Sequence, residues 1–174
     1  MKTINKLISG LCFMALLLTS TSCLNDDPFV DWDNLGGVIE LPYKSHYYNL
    51  SRVTPDENKT FPLMVNYTVA YASSNTEDIA VQLGVDESMV ATYNASLAAS
   101  AKKYVLLPAS AYSLPSTAVI KKGTQYWEED MTINTSSLTR GVYYLLPIKI
   151  IGAPEGYTVS GNFGHVYLRV QMAN

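Results

Sequence analysis

A two-residue period constrains this chain more than any other feature. Leu63, Val65, Tyr67, Val69 and Tyr71 alternate with Met64, Asn66, Thr68 and Ala70. Ile79, Val81, Leu83 and Val85 alternate with Ala80, Gln82 and Gly84. Trp127, Glu129, Met131 and Ile133 do the same with Glu128, Asp130 and Thr132, and Val166, Leu168, Val170 and Met172 repeat it near the C-terminus. Successive side chains of a strand point to opposite faces, so each run reads as a half-buried antiparallel strand. Shorter strands are expected over 37–41, 104–107, 112–114 and 118–122. Residues 142–151 are apolar on both faces, which predicts a central strand. Pro108 closes one run because it has no N–H for a ladder, and Gly123 and Gly141 mark turns.

The period changes once. Met89, Val90, Tyr93 and Leu97 stand at helical spacing behind Asp86, whose carboxylate can accept an orphan N–H of a first turn. One short helix is predicted over 86–100. About eight short strands with regular turns then predict an all-β fold, an immunoglobulin-like antiparallel β-sandwich with one short helix, because two sheets with one apolar face each must cover one another. A closed barrel satisfies the same pattern and ranks second. An outer-membrane barrel ranks below it, since such strands run about 9–11 residues and need aromatic girdles.

The first 22 residues stand apart from this pattern. Lys2 and Lys6 precede an apolar run over 7–18, followed by Thr19, Ser20, Thr21, Ser22 and Cys23. The run is too short to span a bilayer, which takes roughly 20 residues. The layout is that of a secretory signal. A Cys directly after small residues resembles the lipobox of bacterial lipoproteins, although Ser20 stands where a Leu usually opens it. The resemblance implies that Cys23 takes a diacylglyceryl group and becomes the new N-terminus. Three segments are expected: a lipoprotein-type signal peptide over 1–22, an acidic tether over 23–35 and a single β-sandwich domain over 36–174. Cys12 leaves with the signal, so no internal disulfide is expected and the fold rests on its core.

Charge narrows the partners. The net charge of −3 becomes −5 once Lys2 and Lys6 are removed with the signal. Such a domain repels phosphate backbones, and nucleic-acid binding is not expected. Thirteen Tyr and an apolar fraction of 48% argue for a packed globule rather than disorder. The acidic stretch after Cys23, with Asp26, Asp27, Asp31 and Asp33 broken by Pro28, resembles the export signal of Bacteroidota lipoproteins. That implies an outer-membrane anchor facing the cell exterior.

Four further pieces carry a family resemblance: Val81-Gln82-Leu83-Gly84-Val85-Asp86 with Val90 and Tyr93-Asn94; Tyr104-Val105-Leu106-Leu107-Pro108 with Tyr112-Ser113-Leu114; Val119 to Gly123; and Gly141 to Ile150. Their order and spacing resemble the Bacteroidota domain of unknown function 1735, over roughly residues 36–151. The resemblance implies an immunoglobulin-like sandwich at the N-terminus of surface lipoproteins, often ahead of a glycan-binding module or an endo-glycosidase. A single domain is expected here, which departs from that layout. The family motif carries no catalytic residues to transfer.

The residues themselves offer little catalysis. Nucleophile elbow, phosphate-binding glycine loop, paired Cys ligands and zinc-protease helix are all absent from the sequence. His46 and His165 read as loop or surface histidines, with no ligand pattern around either. Residues 31–34 have an acidic, loop-like composition but lack the Gly and closing Glu of a calcium loop. Glu128, Glu129 and Asp130 form the densest acidic cluster, but strand neighbours point to opposite faces and do not by themselves build a facing glycosidase pair. They read as a solvated strand whose charge discourages sheet-to-sheet association. No enzyme activity, metal or cofactor is expected.

Aromatics supply the one binding candidate. Flat rings pack on the apolar C–H faces of sugars and carry polar handles. Tyr126 and Trp127 follow a turn beside acids, and on a strand one of the two must point outward. Tyr43, Tyr47 and Tyr48 form a second aromatic group. The leading expectation is a lipid-anchored accessory protein of a glycan-utilisation system that binds carbohydrate. Its expected partners are the membrane, through lipid, and a glycan or another surface lipoprotein. The rival is a structural or adhesive protein-interaction module, which the same fold would serve equally well.

Overall fold

Two sheets face each other, and the chain crosses between them at nearly every connection. The computed structural model describes residues 36–42, 47, 49–55, 57–69 and 75–173. The signal, Cys23, the acidic tether and the aromatics Tyr43 and Tyr48, with His46, lie outside the described residues. The strands are β1 (Val38–Glu40), β2 (Leu50–Val53), β3 (Asn58–Thr68), β4 (Ile79–Val85), β5 (Val105–Leu106), β6 (Tyr112–Ser113), β7 (Thr117–Ile120), β8 (Tyr126–Asn134), β9 (Tyr143–Gly152), β10 (Thr158–Val159) and β11 (His165–Met172). The helix α1 (Ser88–Ser96) joins β4 to β5. The first sheet has the order β10-β1-β3-β8-β6 and the second β2-β11-β9-β4-β7, with β5 added beside β9.

This is an immunoglobulin-like sandwich. In the second sheet β9 lies between β11 and β4, as the central strand of such a sheet should. β2 leaves the first sheet's side and pairs parallel with β11, Leu50 opposite Arg169 through Val53 opposite Met172. The Tyr144 hydroxyl, at the start of β9, accepts a hydrogen bond from the Thr139 N–H at 2.9 Å. That tie across the β8–β9 corner is a tyrosine corner.

The alternation read from the sequence sets the core. Phe61, Leu63 and Val65 of β3 and Met131 and Ile133 of β8 face Ile79, Val81 and Leu83 of β4, Leu146 and Ile148 of β9, and Val166 and Leu168 of β11. All are at most 3% exposed, and together they bury the apolar area that drives association of the sheets.

β9 is buried on both faces from Tyr144 to Ile148, as its uninterrupted apolar run predicts. Its second edge is shared. The Pro147 carbonyl accepts from the Asp86 N–H at 3.2 Å, so Pro147 turns its polar groups, and its missing N–H, toward that edge. There the ladder changes hands. β4 ends with Val85 opposite Ile148, and β5 begins alongside Tyr144 and Leu145 in parallel. Between the two the chain makes its α1 excursion.

Helix α1 is shorter than the spacing predicted, 88–96 rather than 86–100. Asp86 accepts from the Ser88 N–H at 3.2 Å and from the Ser88 hydroxyl, one residue ahead of the N-cap Glu87, whose own side chain makes no capping bond. The C-terminal end is set by Asn94. Its amide donates to the Tyr104 carbonyl and accepts from the Tyr104 N–H, both at 2.8 Å, standing in for a strand partner. Lys103 donates to the Asn94 carbonyl at 2.8 Å and so satisfies a terminal acceptor. The Ala-rich stretch after Leu97 is thereby folded back instead of prolonging the helix.

Candidate functional site

β3 and β8 pair over nine positions, from Asn58 opposite Asn134 to Asn66 opposite Tyr126. β1 continues the sheet, with Glu40 opposite Asn66 and Val38 opposite Thr68. This register places Glu40, Asn66 and Tyr126 in one row across three strands, on the face turned away from the core. Strands lie about 4.8 Å apart, so the row spans roughly 10 Å. Tyr126 is 55% exposed. Asn66 donates its amide to Glu40 Oε1 and to Thr68 Oγ1, both at 3.1 Å, and the Thr68 hydroxyl donates to the same Glu40 oxygen at 3.3 Å. The polar half of the row is therefore held in place before any ligand arrives.

The pair Tyr126 and Trp127 is separated by the strand. Tyr126 points out, while Trp127 is half-buried and packs against the core beside Val65. An open sheet face with an exposed ring and fixed hydrogen-bonding groups can hold the flat side of a sugar. Tyr47, from the second aromatic group, is 3% exposed, and burial raises its phenol pKa strongly.

The acidic triplet divides in the same way. Glu128 and Asp130 share the outward face with Tyr126, opposite Met64 and Pro62. Glu129 has the parity of the core-facing residues yet is exposed, because β6 covers β8 only at Thr132 and Ile133. An inward-pointing charge on a bare strand edge discourages pairing with another sheet. Glu128 and Asp130 are two residues apart, roughly 7 Å along the strand. That spacing falls within the range of glycosidase carboxylates, and both are exposed on an open sheet face. Among the described residues no three His, Cys, Asp or Glu side chains are placed to hold a metal ion.

The outward face of the second sheet holds a feature the alternation did not reveal. Tyr93 of α1 lies 4.9 Å from the Tyr167 ring and 5.4 Å from the Tyr104 ring, measured between centroids, and Tyr104 meets Tyr143 edge-on at 5.7 Å. Arg169 reaches the Tyr93 hydroxyl at 3.4 Å and the Tyr47 carbonyl at 3.2 Å. His165 packs edge-on against Tyr167, and its pKa is lowered by burial and then by the charge of Lys149. Leu145, of outward parity, is fully buried on this side of β9, against which α1 packs. The only signal for this second small core was the abundance of Tyr itself.

A family model for an N-terminal domain matches residues 38–155, more than half of the chain. The chain belongs to that N-terminal-domain family. No curated protein matches it in sequence. Solved structures share the fold of this family member. A two-domain protein of unknown function from Bacteroides fragilis superposes with a TM-score of 0.62 at 17% identity, over 81% of this chain and 47% of its own. A Bacteroides ovatus protein provisionally assigned to carbohydrate binding gives 0.56 at 18%, over 78% and 37%. A multidomain Bacteroides ovatus protein that includes the domain of unknown function 1735 gives 0.53 at 17%, over 78% and 44%. The chain spans less than half the length of each of these three structures.

Proposed function

We propose that this family member is a lipid-anchored accessory protein of a glycan-utilisation system, displayed on the outer surface of the outer membrane. In this reading it binds carbohydrate without transforming it. The observation that carries the reading is the row of Tyr126, Asn66 and Glu40 on an open sheet face, an exposed ring beside a prearranged amide and carboxylate. Support comes from the lipobox-like Cys23 and from the likeness to a protein provisionally assigned to carbohydrate binding. The flat, exposed setting of Glu128 and Asp130 favours binding over hydrolysis.

The test is affinity electrophoresis of the chain from Leu24 onward, run through gels containing host-type and dietary polysaccharides. Retardation by one class is expected, together with its loss in Tyr126→Ala. No retardation across a broad panel would shift the assignment to a protein-contact role. The anchor is tested separately. Labelled palmitate should enter the wild-type chain and not Cys23→Ala, and protease added to intact cells should remove the domain.

A further inference from the structure

We infer that the outward face of the first sheet selects glycans that carry no acidic groups, by like-charge exclusion built into the strands around Tyr126. This rests on the glycan reading and narrows its ligand class. Every charged residue at an outward position of β1, β3 and β8 is acidic: Glu40, Glu128 and Asp130. The remaining outward positions of these strands are uncharged, among them Thr60, Asn66, Thr68 and Thr132. The single cation within them, Lys59, has the opposite parity; it donates to the Arg52 carbonyl and lies 5.8 Å from the Phe61 ring centre.

The geometry makes this charge pattern effective. Glu128 is about 7 Å from Tyr126 along β8, and Glu40 is about 10 Å away across the sheet. A ligand seated on Tyr126 is therefore within about one Debye length of these carboxylates at 0.1 M salt. Neutral sugars present hydroxyl donors, which carboxylates and the Asn66 carbonyl accept. A uronate, sulfate or sialate presents a like charge with no cation on these strands to meet it. Discrimination arises here from a repulsive element as much as from an attractive one.

The experiment uses matched polysaccharide pairs, each an acidic glycan and the same backbone with its acid groups esterified, reduced or removed. Polygalacturonate with its methyl ester is one pair, and a sialylated glycan with its desialylated form is another. Binding to the chain from Leu24 onward is measured at low salt and at 0.5 M salt, the latter screening to a few ångströms. The uncharged member of any pair that binds should bind about tenfold tighter or more at low salt. The difference should shrink at high salt and in Glu128→Gln/Asp130→Asn. Equal or tighter binding of the acidic member would overturn the charge selection and leave the glycan reading standing. Failure of every member to bind would overturn both.

Discussion

Gly37 shows how tightly single residues are set in this fold. A Cβ at this buried position would run into the Tyr67 ring, which itself stands edge-on to Tyr157 at 5.8 Å. Gly37→Ala should therefore lower stability by about 1–3 kcal/mol, the usual cost of overpacking, read as a drop in the denaturation midpoint. Two ionisable residues lower stability as pH falls, in separate windows. The Asp86 carboxyl is held below its ordinary 3.8 by the Ser88 hydroxyl and then by Lys149, 3.1 Å away. Its contribution is present above that ordinary value and is lost as pH falls through the lower folded one. His165 is depressed below its ordinary 6.5, so the unfolded chain takes up its proton first as pH falls. Stability should decline as pH drops below 6.5, and His165→Gln should flatten that part of a pH–stability profile while leaving the more acidic limb in place.

At the scale of elements, α1 is the piece least supported by apolar burial. None of its residues is fully buried. It is held by the Asn94 amide on Tyr104, by Lys103 at its end and by the Tyr93 ring against Tyr167. Asn94→Ala removes both bonds to the Tyr104 backbone and should cost about 1–3 kcal/mol, since it orphans a part-buried donor and acceptor. Hydrogen exchange should quicken over residues 88–104 well before it does in β9. Leu145→Ala tests the small core beneath α1 from the other side. It should cost about 2–5 kcal/mol, as a fully buried Leu does, although Leu145 lies on the sheet's outward face.

For the whole molecule, the proposed reading assigns stability to one face of the first sheet and recognition to the other. Inward-facing residues hold the two sheets together, and in the proposed reading the outward residues of β1, β3 and β8 meet the ligand. Tyr126→Ala should abolish glycan retardation while changing stability by no more than about 0.5 kcal/mol, as exposed substitutions usually do. Trp127→Ala, one residue along, should do the reverse. It opens a gap beside Val65, costs on the order of 2 kcal/mol, and alters binding only as far as β8 loosens. Measuring melting and retardation on the same two variants separates the roles.

Much of this architecture was legible in the amino-acid sequence because a strand's period of two exposes its buried face directly. Ile79, Val81, Leu83 and Val166, Leu168, Val170 sit in the core their alternation predicts, and the doubly apolar 142–151 run is the central β9. Gly123 and Gly141 turn with positive φ, as expected of them. Tertiary structure decided what one segment cannot encode. The short strands β2 and β10 lack a period of their own and exist because β11 and β1 offer edges to pair with. The end of α1 depends on Tyr104, ten residues further on. The sequence could say that one of Tyr126 and Trp127 must point outward, but not which. That choice came from the register of β8 against β3, which sets Trp127 opposite the buried Val65 and Tyr126 opposite Asn66, and so places Tyr126 in line with Glu40. Register is a relation between strands distant in the chain, fixed by the burial of all their inward side chains together.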